Sequence, residues 1–361
     1  MEAGHAAANG ILRVDPKAEV IVRPLADGGE GTVAALVCGM SGIKQSVTVT
    51  GPLGDPVNCE YGIINDTKTA VIEMSGAAGI TLVPEEKRNP LYTTTYGVGQ
   101  VIKDAIQKGC RRFIVGIGGS ATNDCGIGML QALGYGFLNK EGKQVPFGAI
   151  GLKEIETIED EYVIPELKEC EFRVACDVTN ILCGTEGCSA IFGPQKGATP
   201  SMIMEMDQWL AAYSFLAKEK YPKANAKQAG TGAAGGLGFA FLTFTNAVLE
   251  SGIKIVLDET NLENYIKDAD LVITGEGRLD GQTAFGKAPI GVANLAKKYN
   301  IPVLAFAGSV TKDAVECNRH GIDAFFPIVR GIVTLDEAMK SENAKNNLSD
   351  TVEQVMRLWR I

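Results

Sequence analysis

The chain has 361 residues, 45% hydrophobic and 21% charged, with 43 glycines; that length exceeds one typical core, and the composition excludes a disordered chain. Its formal net charge of −9, from 34 basic and 43 acidic residues, argues against nucleic-acid binding driven by phosphate contacts. An anionic ligand must be held by a local cluster of donors rather than by the overall field.

In chain order, residues 1–8 (M-E-A-G-H-A-A-A) open inside a helix, and residues 19–24 (E-V-I-V-R-P) predict a strand. The string L-A-D-G-G-E-G-T then leads into a helix over 32–39. Residues 46–74 change texture to short β-type runs joined by turns such as G-P-L-G-D-P, which suggests a sheet without crossover helices and a new domain near residue 45. A helix is expected over 97–108 and a strand over 112–117, then strands over 171–176 and 189–192. The run 201–217 has helical apolar spacing, and 230–250 predict a glycine-opened apolar helix. From about 262 strands and helices alternate: strand 270–274, helix 289–298, strands 302–307 and 323–329, and a terminal helix over 336–360. Pro289 suits a first helical turn, where its missing N–H has no partner to lose. The late strands need neighbours of the same character as 19–24. A discontinuous domain, 1–45 plus 262–361, is therefore expected, with 46–261 inserted as a second α/β domain.

Several loops combine glycine with polar side chains at strand ends. In Asp27-Gly28-Gly29-Glu30-Gly31-Thr32 the glycines let N–H groups approach an anion and the helix start adds positive charge. Its carboxylates suit Mg²⁺ or hydroxyl groups better than a bare phosphate; a capped helix start is the alternative. Residues 116–124 (G-I-G-G-S-A-T-N-D) loosely match a dinucleotide loop, yet no acidic residue ends the next strand, where 136–139 read G-F-L-N. Ser120, Thr122 and Asn123 supply neutral donors that suit a carboxylate or phosphate, and Gly118, Gly119 and Asp124 of the same loop are counted with them as binding residues. A strict G-x-G-x-x-G at 230–235 follows no apolar strand and reads as a helix start, with its N–H groups equally able to face a ligand.

Asp177, with Thr179 and Asn180, follows the strand F-R-V-A-C and faces the crevice where open α/β sheets bind ligands; a structural cap is the other reading. Lys196 sits in the turn G-P-Q-K-G and is either a ligand contact or a solvated turn lysine. Residues 275–287 gather Gly275, Glu276, Gly277, Arg278, Asp280, Gln282 and Lys287 after an apolar strand, a concentration of mixed charge that points to a ligand. Within it, G-Q-T-A-F-G-K-A falls one residue short of a P-loop because Ala288 replaces the metal-binding hydroxyl. The 9 cysteines include no C-x-x-C pair, and His5 and His320 lie far from the string C-G-T-E-G-C at 183–188, so reduced thiols rather than zinc are expected. With no signal peptide and no apolar run of the ~18 residues a span needs, a cytoplasmic protein without a membrane partner is expected. Phosphate-cradling glycines, Lys and Arg, and carboxylates for Mg²⁺ (Glu30, Glu276, Asp280) are what phosphoryl transfer requires.

These strings, in this order, resemble the type I glycerate kinase family: A-D-G-G-E-G-T (26–32), T-G-P-L-G (50–54), R-N-P-L-x-T-T-T-Y-G (88–97), G-I-G-G-S-A-T-N-D (116–124), C-D-V-T-N (176–180), F-G-P-Q-K-G-A (192–198), G-A-A-G-G-L-G (232–238) and A-D-L-V-I-T-G-E-G-R-L-D-G-Q-T (269–283). The resemblance implies a two-domain α/β protein, a Rossmann- or flavodoxin-like parallel-sheet domain with a large inserted α/β domain and the active site in the cleft. It implies ATP, Mg²⁺ and D-glycerate as ligands, a 2-phosphoglycerate rather than 3-phosphoglycerate product, and a monomer or homodimer. Asp177, Lys196, Arg278 and Lys287 are the expected catalytic residues; the glycine-loop residues above bind substrate and nucleotide. The family usually begins with a strand and D-S-F-K-G-S before its first helix, so a chain extended by that segment is expected to be more stable and more active. The competing readings are an NAD-dependent oxidoreductase built on residues 116–121 and a non-catalytic sugar-acid-binding protein.

Overall fold

A computed structural model describes residues 1–26, 31–285 and 287–361. The chain divides into two compact units, one of Ala26–Ile255 and one of Met1–Leu25 with Val256–Ile361.

The strands of the first unit are β1 (Ile43–Thr50), β2 (Pro56–Ile64), β3 (Thr69–Glu73), β4 (Arg112–Gly116), β5 (Gly136–Leu138), β6 (Thr157–Glu159), β7 (Glu171–Ala175) and β8 (Asn246–Glu250). A six-stranded sheet runs β1-β2-β3-β4-β7-β8, antiparallel as far as β3 and parallel beyond it, while β5 and β6 pair separately. The buried run F-I-V-G in β4 is what a strand covered on both faces should read like. Phe113 stacks on its cross-strand neighbour Phe172 at 4.7 Å between centroids, one of the pair contacts that hold such a sheet. Helix Tyr96–Gln107 buries Val98, Val101, Ile102, Ala105 and Ile106, the i, i+3, i+4, i+7, i+8 stripe of an amphipathic helix. Gly116 pairs with Glu73 on one side and Ala175 on the other, so the loops after β3, β4 and β7 leave the same sheet edge. That edge is where open α/β sheets carry ligands.

The second unit holds β9 (Val272–Leu279), β10 (Val303–Val310) and β11 (Ala324–Pro327), parallel, with β10 in the middle. Side chains alternate along β10. Val303, Ala305 and Ala307 pack with Ile290, Val292, Ala293 and Ala296 of helix Ala288–Lys297. Leu304 and Phe306 pack with Val352 and Met356 of helix Ser341–Trp359 and with Ala7 and Ile11 of helix Glu2–Val14. No helix among the described residues is long and apolar enough to cross a membrane.

Three sequence expectations are corrected. Residues 19–24 form no strand. A strand needs a ladder partner, and this segment instead lies against the first helix, with Val22 closing on Gly4, while the Arg23 guanidinium sits 3.9 Å over the Tyr265 ring. Residues 189–192 belong to a helix, Cys188–Phe192, whose buried Cys188 and Ser189 and exposed Ile191 follow a helical period that so short an apolar run could not reveal. The apolar helix expected over 230–250 stops at Phe244, and β8 follows it as the edge of the six-stranded sheet.

Candidate active site

The loop after β4 is built from the inside out. Asp124 is fully buried and accepts from Thr95 N–H at 2.8 Å, Thr95 Oγ1 at 2.9 Å and Gly126 N–H at 3.1 Å. Burial pushes its carboxyl above the ordinary range, and these donors pull the other way. Asn123, also fully buried, donates to Ser189 Oγ at 2.8 Å. Thr93 Oγ1 donates to the Ala121 carbonyl at 2.9 Å. Thr122, Asn123 and Asp124 are thus turned into the protein, while Gly118 and Gly119 are exposed and Ser120 lies at the boundary, 8% accessible. Lys196 is brought to the same loop, its ammonium donating to Ser120 Oγ at 2.8 Å and to the Thr122 carbonyl at 2.6 Å. It is 2% accessible rather than solvated, and burial draws its pKa down to about 8.

The glycines at 230–236 support this loop. Gly235, at φ +67°, comes so close to the Thr122 carbonyl that a Cβ would stand 2.1 Å from that oxygen, and its own carbonyl accepts from Cys125 N–H at 2.9 Å. The Gly232 N–H is likewise taken by the Asn180 carbonyl at 3.0 Å. At the neighbouring strand end, Asp177 is exposed and its Oδ1 accepts from Gly252 N–H at 3.1 Å, at the start of helix Gly252–Glu259. Thr179 is exposed, and Asn180 donates to the Glu186 carbonyl at 3.0 Å. Thr32 is buried at the start of helix Thr32–Gly39, whose preceding Gly31 takes φ +91°. The next amide, Val33 N–H, donates to Glu73 Oε1 at 2.8 Å. Asp27, Gly28, Gly29 and Glu30 lie outside the described residues.

A second group forms around β9. Asp280 Oδ1 accepts from the N–H groups of Gln282 at 3.0 Å and Thr283 at 3.2 Å, and the buried Thr283 hydroxyl donates to Glu276 Oε1. Two carboxylates therefore converge on one threonine. Arg278 is largely exposed, its Nε 3.7 Å from Asp280 Oδ2. Gly275 lies against the Phe306 carbonyl and Gly277 faces open space. Lys287 precedes helix Ala288–Lys297, placing a cation where the helix end is already positive. An anion at that end would relieve the conflict.

Among the described residues no three His, Cys, Asp or Glu side chains form a metal cluster. All 9 cysteines are free, and burial pushes Cys183 up to about 12 and Cys188 to about 11, which leaves both as protonated thiols. The strand after the 116–121 loop, β5, leaves the main sheet to pair with β6. The βαβ unit that a dinucleotide loop needs is not formed there.

The glycerate kinase family model matches residues 1–360. The chain belongs to the glycerate kinase family. It is 48% identical over 358 residues to a glycerate kinase of Haemophilus influenzae, covering 99% of this chain and 94% of that one. It is 47% identical over 361 residues to the glycerate 2-kinase of Escherichia coli, covering 99% and 95%. A crystal structure of a protein assigned as glycerate kinase 2 from Salmonella typhimurium LT2 superposes with a TM-score of 0.92 at 46% identity, covering 99% of this chain and 94% of the other. The mixed α/β architecture is thus that of the family. Thr95, Ser189 and Glu73 escaped the sequence reading; only the T-T-T run at 93–95 offered a local signal, since the other two act across long sequence separations.

Proposed function

We propose that this family member transfers the γ-phosphoryl group of ATP to D-glycerate, forming 2-phosphoglycerate rather than 3-phosphoglycerate. The reading rests above all on identity near one half along the whole chain to the glycerate 2-kinase of Escherichia coli. The geometry supports it. The exposed Gly118 and Gly119 and the largely buried Ser120 present donors at the C-terminal edge of parallel strands. Thr122, Asn123 and Asp124, assigned to ligand binding on sequence, shape that loop from behind. Asp177, held by Gly252, orients or deprotonates the glycerate hydroxyl, flanked by Thr179 and Asn180. Arg278 and Lys287 balance negative charge on phosphate or carboxylate groups.

Mg²⁺ is commonly held by one or two carboxylates together with substrate phosphates. Glu276 and Asp280, converging on Thr283, fit that donor set. The ion would neutralise phosphate charge when bound; holding it in place falls to those two carboxylates.

ADP release measured with ATP and D-glycerate tests the reading, and phosphorus NMR of the product fixes which hydroxyl is esterified. No glycerate-dependent ADP release at saturating substrates would reject the kinase assignment. A 3-phosphate product would reject only the regiochemistry.

A further inference from the structure

Lys196 is 2% accessible, and among the described residues no carboxylate forms an ion pair with it. A buried cation with no carboxylate in direct contact is costly, even with Asp124 near enough to act on it, so its placement calls for a reason beyond packing. Both oxygens it reaches belong to the loop after β4. An ammonium only donates, so Ser120 Oγ must accept from it, and the proton of the Ser120 hydroxyl is left for another acceptor. Among the described residues no protein group accepts that proton. The N–H groups of Gly118, Gly119 and Ser120 likewise meet no protein acceptor there, and Gly119 takes φ +72°. Successive free amides around a left-handed glycine form a concavity suited to an anion. Behind the loop, the buried Thr122 Oγ1 and Asn123 Oδ1 also lack partners.

We infer that Lys196 is a positioning residue that locks the Ser120 hydroxyl as a donor which, with the Gly118–Ser120 amides, receives an oxyanion of the substrate. The inference deepens the kinase reading and rests on it. A hydroxyl held between an ammonium and an oxyanion is polarised by both, which strengthens its outward hydrogen bond. Lys196 touches no substrate itself; its charge reaches the ligand through one serine oxygen.

The test compares Ser120→Ala, Lys196→Met and the double variant, with melting curves to establish folding. Each single change should lower kcat/KM on the order of 10²-fold, the scale of one lost preorganised donor, and the double variant should be no worse than the poorer single. Losses that multiply in the double variant overturn the inference. Should Lys196→Met fail to fold, the pH profile of Ser120→Ala decides. Lys196 is charged below its pKa of about 8, so wild-type kcat/KM should fall above that pH. Cys188, up at about 11, and Asp124, raised by burial, also face the ammonium, but Ser120→Ala leaves both in place. A flattened alkaline limb in Ser120→Ala supports the inference, and a retained one overturns it. A rise confined to the KM for D-glycerate assigns the oxyanion to a carboxylate; a rise confined to the KM for ATP assigns it to a phosphate. Calorimetric titration of the same proteins with D-glycerate and with ATP reads the same coupling without turnover, so failure of the kinase reading stays distinguishable from failure of this one.

Discussion

Asp124→Ala should be the most damaging single change behind the loop after β4. The carboxylate accepts from Thr95 N–H, Thr95 Oγ1 and Gly126 N–H at 2.8, 2.9 and 3.1 Å, in a site with no solvent access. Alanine leaves all of these donors buried and unpaired, at about 1–3 kcal/mol each. Water entering the small void would satisfy some of them, so a loss of about 3–5 kcal/mol is expected, a large share of a typical domain stability. Asp124→Asn separates charge from hydrogen bonding. Its single oxygen can serve both Thr95 donors, while its amide is forced against the Gly126 N–H, at a cost of about 1–3 kcal/mol. Urea unfolding followed by tryptophan fluorescence and by circular dichroism measures both losses, and the order should be wild type, asparagine, alanine. An alanine variant within about 0.5 kcal/mol of wild type would refute the claim that Asp124 holds the loop.

Arg278→Ala, at a largely exposed side chain, should leave the melting temperature unchanged and lower kcat/KM on the order of 10²–10³-fold; wild-type kinetics from the folded variant would remove Arg278 from the site. Gly235→Ala forces a Cβ to 2.1 Å from the Thr122 carbonyl at φ +67° and should destabilise by at least about 2 kcal/mol in thermal unfolding, with a matching loss of activity. Glu250 is held below its usual carboxylate range by hydrogen bonds from Arg173 at 2.7 Å and from Lys254. A depressed carboxylate contributes stability that is present above the unfolded value of 4.5 and is lost as pH falls through the folded one. Glu250→Gln should therefore destabilise at neutral pH by about 1 kcal/mol and weaken the pH dependence on the acid side; identical acid unfolding curves would refute this.

What was legible in the sequence is what short stretches of chain determine by themselves. The stripe Val98, Val101, Ile102, Ala105 and Ile106 announces its helix because its period is local, and F-I-V-G announces a buried strand for the same reason. A glycine-rich loop after such a strand is equally visible, since both signals lie within a few residues. Local pattern fails where long-range neighbours decide. Cys188–Phe192 is too short to display its period, and residues 19–24 carry strand-like composition with no ladder partner. The same limit governs the site. G-P-Q-K-G leaves a ligand contact and a solvated turn lysine equally open, and Lys196 is not solvated because Ser120 and Thr122, more than 70 residues earlier, provide oxygens for its ammonium.

Within T-N-D, how the loop is held against the protein is decided by Thr95, Ser189 and Gly235, spread over 140 residues of chain. Polar residues clustered on a glycine loop therefore divide into two groups by their partners. Those with protein partners on every side, such as Asp124, set the loop's shape. Those whose outward-facing donors remain unspent, namely Gly118, Gly119 and Ser120, are the ones the proposed kinase reading gives to the substrate. Asp124 and Ser120, four residues apart on one loop, should accordingly fail in different ways. Asp124 should be lost mainly in stability, with activity following unfolding, and Ser120 mainly in kcat/KM, with a smaller loss of stability from the one acceptor that the Lys196 ammonium gives up.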